Sequence, residues 1–368
     1  MSRITGRTYR YFFKKIILFF IEKITNKFSK SYSKIHLITD GASWAVDTST
    51  HDILRYFNKT QFKTTISLFT PDNQIIYYID QYSILKNKFY ETKNIVALDY
   101  QHGVVKFLNN HLKLLNFIKT HQNKIHLIRV TNSFFKSYLI KNGIDKKKIY
   151  TIPIAVDTQK FKVIKNKNFL RKKFNLPNDK ILIGSFHKDG EGWGNGEKPK
   201  MIKGPDIFVK TIKELSKKIG KNKIFVVLTS PARGYVKKKL TQYKIPFKHF
   251  YPLEKDNIPL LFNCLDYYLV TSRDEGGPRG IFEAMACGVP VISTLVGHAH
   301  DHIENNYNGY KSPIDDYKSL SNNIFKLIKN PKLRKKIIKN CIKTAKQNNI
   351  ISHQLYWNNF KKKLIDMI

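Results

Sequence analysis

The chain has 368 residues, 42% hydrophobic and 13% aromatic, enough apolar material for two cores at about 100–200 residues per domain. That composition excludes an intrinsically disordered chain, and the longest apolar run near the N-terminus, Ile16–Ile21, falls short of the ~18 residues that cross a bilayer. Lys and Arg total 66 against 27 Asp and Glu, a net charge of +39 that favours anionic partners such as phosphate-bearing small molecules, acidic lipid surfaces or nucleic acid.

The lysine surplus comes with many Asn, Ile, Tyr and Phe, which AT-rich coding also produces, so charge alone names no partner. The run Ile16–Ile21 is shorter than a signal-peptide apolar region and no small-residue cleavage site follows it. Cys264, Cys287 and Cys341 lack metal-ligand spacing, and their odd number argues against a disulfide framework. The expected location is the cytoplasm.

Residues 1–33 are expected to hold a basic amphipathic helix. Phe13, Ile17, Phe20, Ile21, Ile24 and Phe28 recur at helical spacing, with Arg10, Lys14, Lys15, Lys23 and Lys27 largely off that stripe. Such a helix suits peripheral attachment to an anionic membrane surface or packing on the protein's own body. From residue 34 short apolar strands alternate with helical segments. Lys34–Thr39, Ile95–Leu98 and Ile125–Val130 read as strands, and residues 50–57 and 104–119 as helices. Ile149–Pro153 and the lysine-rich stretch to Pro177 read as an interdomain connection.

A second alternating unit places strands at Ile181–Phe186, Ile224–Leu228, Tyr267–Val270 and Val289–Ser293. Helices are predicted at 205–219, 236–243, 258–263 and 278–287. The expected fold class is α/β, two Rossmann-like domains with parallel sheets facing across a cleft. The domains are drawn at 34–158 and 175–351, with a C-terminal helix, 352–368, packing back on the first.

The densest chemistry lies between Ser272 and Ser293. Gly276 and Gly277 allow a tight turn and close approach of a ligand, and Pro278 suits a helix start. Free N–H groups and the helix dipole favour an anion there, such as a diphosphate. Glu275 stands in the loop. Glu283 lies on a helix that is otherwise apolar, so it needs a partner: either Arg279 one turn back, or a pair of vicinal hydroxyls such as a ribose supplies. The spacing predicts no metal site. There is no Asp-x-Asp pair, and no G-x-S-x-G, H-E-x-x-H or Walker sequence.

Glu275 and Glu283, seven residues apart and followed by Ala-Met-Ala-Cys-Gly-Val-Pro-Val, resemble the E-x7-E signature of glycosyltransferase family 4. Ile152–Asp157 with Phe161 resembles that family's domain-connecting element, with Ala155 where Gly is usual. Lys203-Gly204 resembles its K-G motif. The resemblance implies a retaining, metal-independent hexosyltransferase of GT-B fold that needs no cofactor and takes a nucleotide-sugar donor as substrate. It assigns Glu275 to the donor sugar, Glu283 to the ribose and Lys203 to the diphosphate. Backbone groups at Gly276, Gly277 and Arg279 would face the sugar and phosphates.

His102, at a strand's carboxyl end, resembles the histidine placed near the reacting carbon and is the second candidate catalytic residue beside Glu275. The chain departs from the family where an arginine usually follows the glycine of the first strand in the second domain. Ser185 follows Gly184 here, and Lys188, the next cation, is expected to replace that arginine in binding the donor diphosphate, offering a point charge rather than a fork. The glycine-rich segment 189–197 is expected to be a mobile loop at the cleft mouth. Asp40, Gly41 and Trp44 are expected on the acceptor side.

The partners implied are a nucleotide-sugar donor and a glycan or lipid-linked acceptor, in cell-surface polysaccharide or lipopolysaccharide biosynthesis. Two rivals are a non-transferring GT-B enzyme such as a nucleotide-sugar epimerase, and a basic nucleic-acid-binding protein. The second is disfavoured because the lysines are spread throughout rather than gathered on a recognition element.

Overall fold

The computed structural model describes residues 35–39, 45–56, 62–65, 74–86, 93–102 and 111–367, without side chains for 45–49, 62–65 and 111. The predicted N-terminal helix and Asp40, Gly41 and Trp44 lie outside the described residues. Among those described, no helix is long and apolar enough to cross a membrane.

Two six-stranded sheets carry the fold. The first contains β1 (Ile35–Ile38), β2 (Phe62–Thr65), β3 (Ile75–Tyr78), β4 (Ile95–Tyr100), β5 (Leu127–Val130) and β6 (Ile149–Thr151), in the order 2-1-3-4-5-6. The second contains β7 (Ile181–Ser185), β8 (Ile224–Thr229), β9 (Phe247–Phe250), β10 (Tyr267–Val270), β11 (Val291–Thr294) and β12 (Gly309–Ser312), in the order 12-11-10-7-8-9. All pairings are parallel. The fold is GT-B.

Alternation along the strands explains why both faces of the first sheet are covered. Ile76, Tyr78, Val96 and Leu98 pack with Leu114, Ile118 and Phe135 on one side. Their neighbours Ile75, Tyr77 and Ala97 point the other way, onto Ile53, Trp357 and Phe360. Trp357 and Phe360 belong to helix Gln354–Ile365, so the chain's last helix seals the first sheet. Its Trp357 stacks on Tyr56 at 5.5 Å and its Phe360 meets Tyr77 at 5.4 Å.

The stretch read as a connection contains two elements. Ile149–Thr151 is an edge strand paired with β5, and Lys167–Lys173 is a helix capped by Asn166, whose side chain accepts from Phe169 N–H. A three-residue strand bonded on one side has too short a pattern to stand out in sequence.

Candidate active site

The order of the second sheet reverses between β7 and β10. Connections leave these neighbours toward opposite sheet faces and open a crevice beyond their carboxyl ends. Lys203 reaches this crevice from a short turn, Met201–Lys203. Gly204 (φ 62°) lies so close to the end of β10 that a Cβ would stand 1.9 Å from the Thr271 carbonyl. Thr271 Oγ1 donates back to the Gly204 carbonyl at 2.9 Å. Only glycine permits this contact, and it holds Lys203 over the crevice.

Lys203 Nζ meets Glu275 Oε1 at 2.6 Å, and Ser272 Oγ donates to the same oxygen at 2.9 Å. The two charged side chains are 18% and 11% exposed. Burial alone would raise the Glu275 carboxyl. The Lys203 ammonium, helped by His102 and His187, more than reverses this and holds it down at about 2. Glu275 is thus a fixed negative charge at the sheet's reversal point.

His102 faces this pair from the end of β4. Gln81 clamps its backbone: the Gln81 amide donates to the His102 carbonyl at 3.0 Å, and its oxygen accepts from the N–H groups of Gln101 (2.7 Å) and His102 (3.0 Å). The imidazole Nδ1 is buried without a hydrogen bond. Burial and the Lys203 charge lower its pKa, with Glu275 opposing, so the ring is neutral at neutral pH. The structure therefore brings His102, Lys203 and Glu275 together from two domains.

His187, which sequence reading passed over, also borders the site. Burial and Arg233 lower its pKa to about 3, and Glu275 and Lys203 are within electrostatic reach. It follows β7 as His102 follows β4, and that position is the signal that could have found it. Arg233 was missed too. Wholly buried, it donates to the carbonyls of Ser185 (2.7 Å), His187 (2.8 Å) and Thr229 (3.1 Å), and pairs with Asp189 at 3.0 Å. Its charge is taken up in shaping the loop after β7.

The Gly276–Gly277 turn crosses the cleft. A Cβ on Gly276 would stand 2.6 Å from Gln101, and one on Gly277 2.5 Å from His298 Nε2. The close approach predicted for a ligand is here made by protein on both sides. The Gly276 carbonyl accepts from Asn132 Nδ2 at 2.8 Å and from the Thr131 hydroxyl. His298 Nε2 accepts from Ile154 N–H at 3.2 Å, and its ring stacks on Phe282.

Helix Arg279–Ala286 starts just after this turn. Arg279 Nη2 binds Asp52 of the first domain at 2.5 Å, and its Nε stands 3.8 Å from Glu283. The pairing with Glu283 weighed in the sequence is thus a long contact, and the close partner is Asp52. Burial raises the Glu283 carboxyl pKa, only partly countered by Arg279.

Lys188 Nζ lies 4.1 Å from the centroid of Trp193. The loop expected to be mobile is fastened instead. Glu191 N–H donates to Lys198 O (2.9 Å), Lys200 N–H to Asp189 O (2.8 Å) and Gly234 N–H to Asn195 O (2.7 Å). Gly190 and Gly196 pack closely against Ala232, whereas Gly192 and Gly194 face open space. Among the described residues no group of His, Cys, Asp and Glu is arranged to hold a metal ion.

Two parallel α/β domains with a charged crevice at the second sheet's reversal point define a GT-B protein. Within it, residues 198–344 match the family described as glycosyl transferases group 1. An uncharacterized glycosyltransferase of Methanocaldococcus jannaschii is 25% identical over 276 residues, 72% of this chain and 74% of its own. An N,N'-diacetylbacillosaminyl-diphospho-undecaprenol alpha-1,3-N-acetylgalactosaminyltransferase of Campylobacter jejuni is 32% identical over 108 residues, 29% of this chain and 28% of its own. Among solved structures, HepE of Anabaena in complex with UDP and glucose superposes with a TM-score of 0.74 at 16% identity, covering 90% of this chain and 99% of HepE. Sucrose-phosphate synthase of Thermosynechococcus elongatus gives 0.74 at 15% identity, covering 91% and 100%.

Proposed function

We propose that the protein is a retaining, metal-independent glycosyltransferase that moves a hexosyl unit from a nucleoside-diphosphate sugar to an acceptor hydroxyl in the assembly of a cell-surface glycan. The observation that carries this reading is the Lys203–Glu275 pair, 2.6 Å apart at the reversal point of the second sheet and faced by His102 across the cleft. Lys203 and the N–H groups at the start of helix Arg279–Ala286 offer positive charge to a departing diphosphate. Glu275 stays ionised beside the donor sugar, and neutral His102 offers it a hydrogen-bonding nitrogen. Glu283, only distantly paired to Arg279 and 17% exposed, accepts from the ribose hydroxyls in this reading.

In this reaction the acceptor oxygen bonds to the anomeric carbon on the face from which the diphosphate leaves. The carbon–oxygen bond to the diphosphate breaks, and the acceptor proton passes to the leaving oxygen. A panel of nucleotide sugars, screened by thermal shift and then by transfer, tests the reading. The preferred donor should raise the melting temperature by mass action. Transfer should keep the anomeric configuration by NMR and should survive EDTA. Inversion, or activity abolished by EDTA and restored by a divalent ion, would refute the corresponding part.

A further inference from the structure

The loop after β5 reaches the second domain with three consecutive residues. The Thr131 hydroxyl and Asn132 Nδ2, the latter at 2.8 Å, both donate to the Gly276 carbonyl. Ser133 gives its backbone N–H to Asp301 Oδ2 at 2.7 Å and its hydroxyl to the other carboxylate oxygen. Thr131 and Asn132 are wholly buried. Asn132 has a second task in its own domain. It caps helix Ser133–Lys141, where its Oδ1 accepts from Phe135 N–H at 3.0 Å. Capping by itself does not call for asparagine, because Ser, Thr and Asp also present an oxygen to a first turn. Asparagine adds a nitrogen donor on a separate atom. That donor serves Gly276 and, at 3.2 Å, Thr131 Oγ1, which leaves the Thr131 proton for the same carbonyl.

The held carbonyl belongs to the residue after Glu275. Close packing sets where this turn sits: a Cβ on Gly276 would stand 2.6 Å from Gln101, the neighbour of His102. One on Gly297 would stand 3.0 Å from the carbonyls of both Glu275 and Gly276. Packing does not set which way the peptide between two glycines faces, since glycine tolerates either orientation. The two donors do, and a trans peptide then turns the Gly277 N–H to the opposite side. We propose that Thr131 and Asn132 are positioning residues for Glu275: from the first domain they hold the Gly276 peptide, and so fix the carboxylate of the second domain against His102 of the first. The inference rests on the glycosyltransferase reading, which gives Glu275 its task at the donor sugar. It makes the geometry of that turn depend on the seam between the domains, whereas the groups proposed for the nucleotide, Lys203 and Glu283, lie within the second.

The test follows backbone amide hydrogen exchange in the full chain, without ligand, at residues 275–277 and in helix Ser133–Lys141. Asn132→Asp, above neutral pH, keeps an oxygen for the cap and replaces the donor by a second acceptor. Thr131→Val removes the other donor. Each should speed exchange at 275–277 about two-fold to ten-fold, the range one neutral hydrogen bond supports, and the double variant more. The helix should exchange as in wild type. Turnover with the best donor of the nucleotide-sugar panel should fall about ten-fold or more in the double variant. Affinity for the free nucleoside diphosphate of that donor should stay within about two-fold. Unchanged exchange at 275–277, or faster exchange in the helix alone, would reduce Asn132 to a cap and overturn the proposal. So would turnover and nucleoside diphosphate affinity that fall together. A wild type that transfers no sugar would instead refute the glycosyltransferase reading, and exchange would then still decide whether the pair holds the turn.

Discussion

Two carboxylates stand at the carboxyl edges of the two sheets, and they are held in opposite ways. Asp99, at the end of β4, is wholly buried and receives the Tyr77 hydroxyl, Arg129 Nη1 at 2.8 Å and Gln101 Nε2 at 2.5 Å. Glu275, beyond β10, has Lys203 and Ser272 and keeps some contact with the cleft. The better-partnered group has the raised pKa, because desolvation exceeds what its partners return. The other is depressed to about 2 because Lys203 outweighs a smaller exclusion from water. Asp99 thus acts as a fastening that fixes Gln101 and the loop bearing His102, and Glu275 as a charge held at the edge of the crevice.

The widest test of that difference removes the fastening. Asp99→Ala leaves Arg129 buried under Trp357 without its counter-charge, which costs about 3–5 kcal/mol. At about 2–4 °C per kcal/mol, the melting temperature should fall by roughly 10 °C. An unchanged melting temperature would mean that Asp99 fastens nothing.

Next in size is Glu275→Gln. Turnover should fall about a hundred-fold with nucleoside diphosphate affinity nearly kept, as for a charge that acts mainly in the transition state. The same variant separates the two carboxylates by pH. A depressed carboxylate contributes stability that is present above its unfolded value of 4.5 and lost as pH falls toward about 2. Glu275→Gln should therefore flatten the acid limb of the wild-type melting curve across that window. An unaltered limb would deny Glu275 its low pKa.

Legibility in the sequence followed the same division. The second sheet's reversal point could be read because its elements are strongly apolar on their buried faces and punctuated: Pro205–Ile219 and Tyr267–Val270 are found where the pattern put them, with glycines at the turns. Edge strands such as β6 and β12 could not, since three or four residues paired on one side carry no clear alternation. Of the site, Glu275, Lys203 and His102 were named from sequence and are found together. Arg233 and Asp52 were invisible, because each matters through a partner distant in the chain that only folding supplies. The glycines at 276 and 277 were noticed for the right property, closeness, but their neighbours are Gln101 and His298.

A third, smaller effect sets Glu283 beside Glu275. Burial raises the Glu283 carboxyl, so its ionised form costs stability once pH rises past the ordinary carboxylate range. Glu283→Gln should lift the ligand-free melting temperature at neutral pH by about 2–4 °C for each kcal/mol recovered. It should also weaken nucleoside diphosphate binding about ten-fold, because hydrogen bonds to a charged acceptor contribute roughly 1.5–3 kcal/mol. Opposite signs in the two measurements would mark a residue kept for binding. A lowered melting temperature with nucleoside diphosphate affinity intact would return Glu283 to a structural pairing with Arg279.

The finest test concerns the contact that joins the two halves. Asp52 and Arg279 pair at 2.5 Å, with side chains 20% and 26% exposed, so their net contribution to stability is about 1 kcal/mol or less. Asp52→Asn should move the melting temperature by only about 2–4 °C. Its effect on ligand binding has a definite sign. Arg279 sits at the first position of the helix whose N–H groups would receive the diphosphate, and Asp52 draws its guanidinium toward the first domain. Removing that charge frees the arginine for an incoming anion, so nucleoside diphosphate affinity should rise about two-fold to five-fold, with a steeper salt dependence. A fall in affinity would reverse the argument: Asp52 would then be aiming Arg279 at the donor, and the first domain would help to build the donor site.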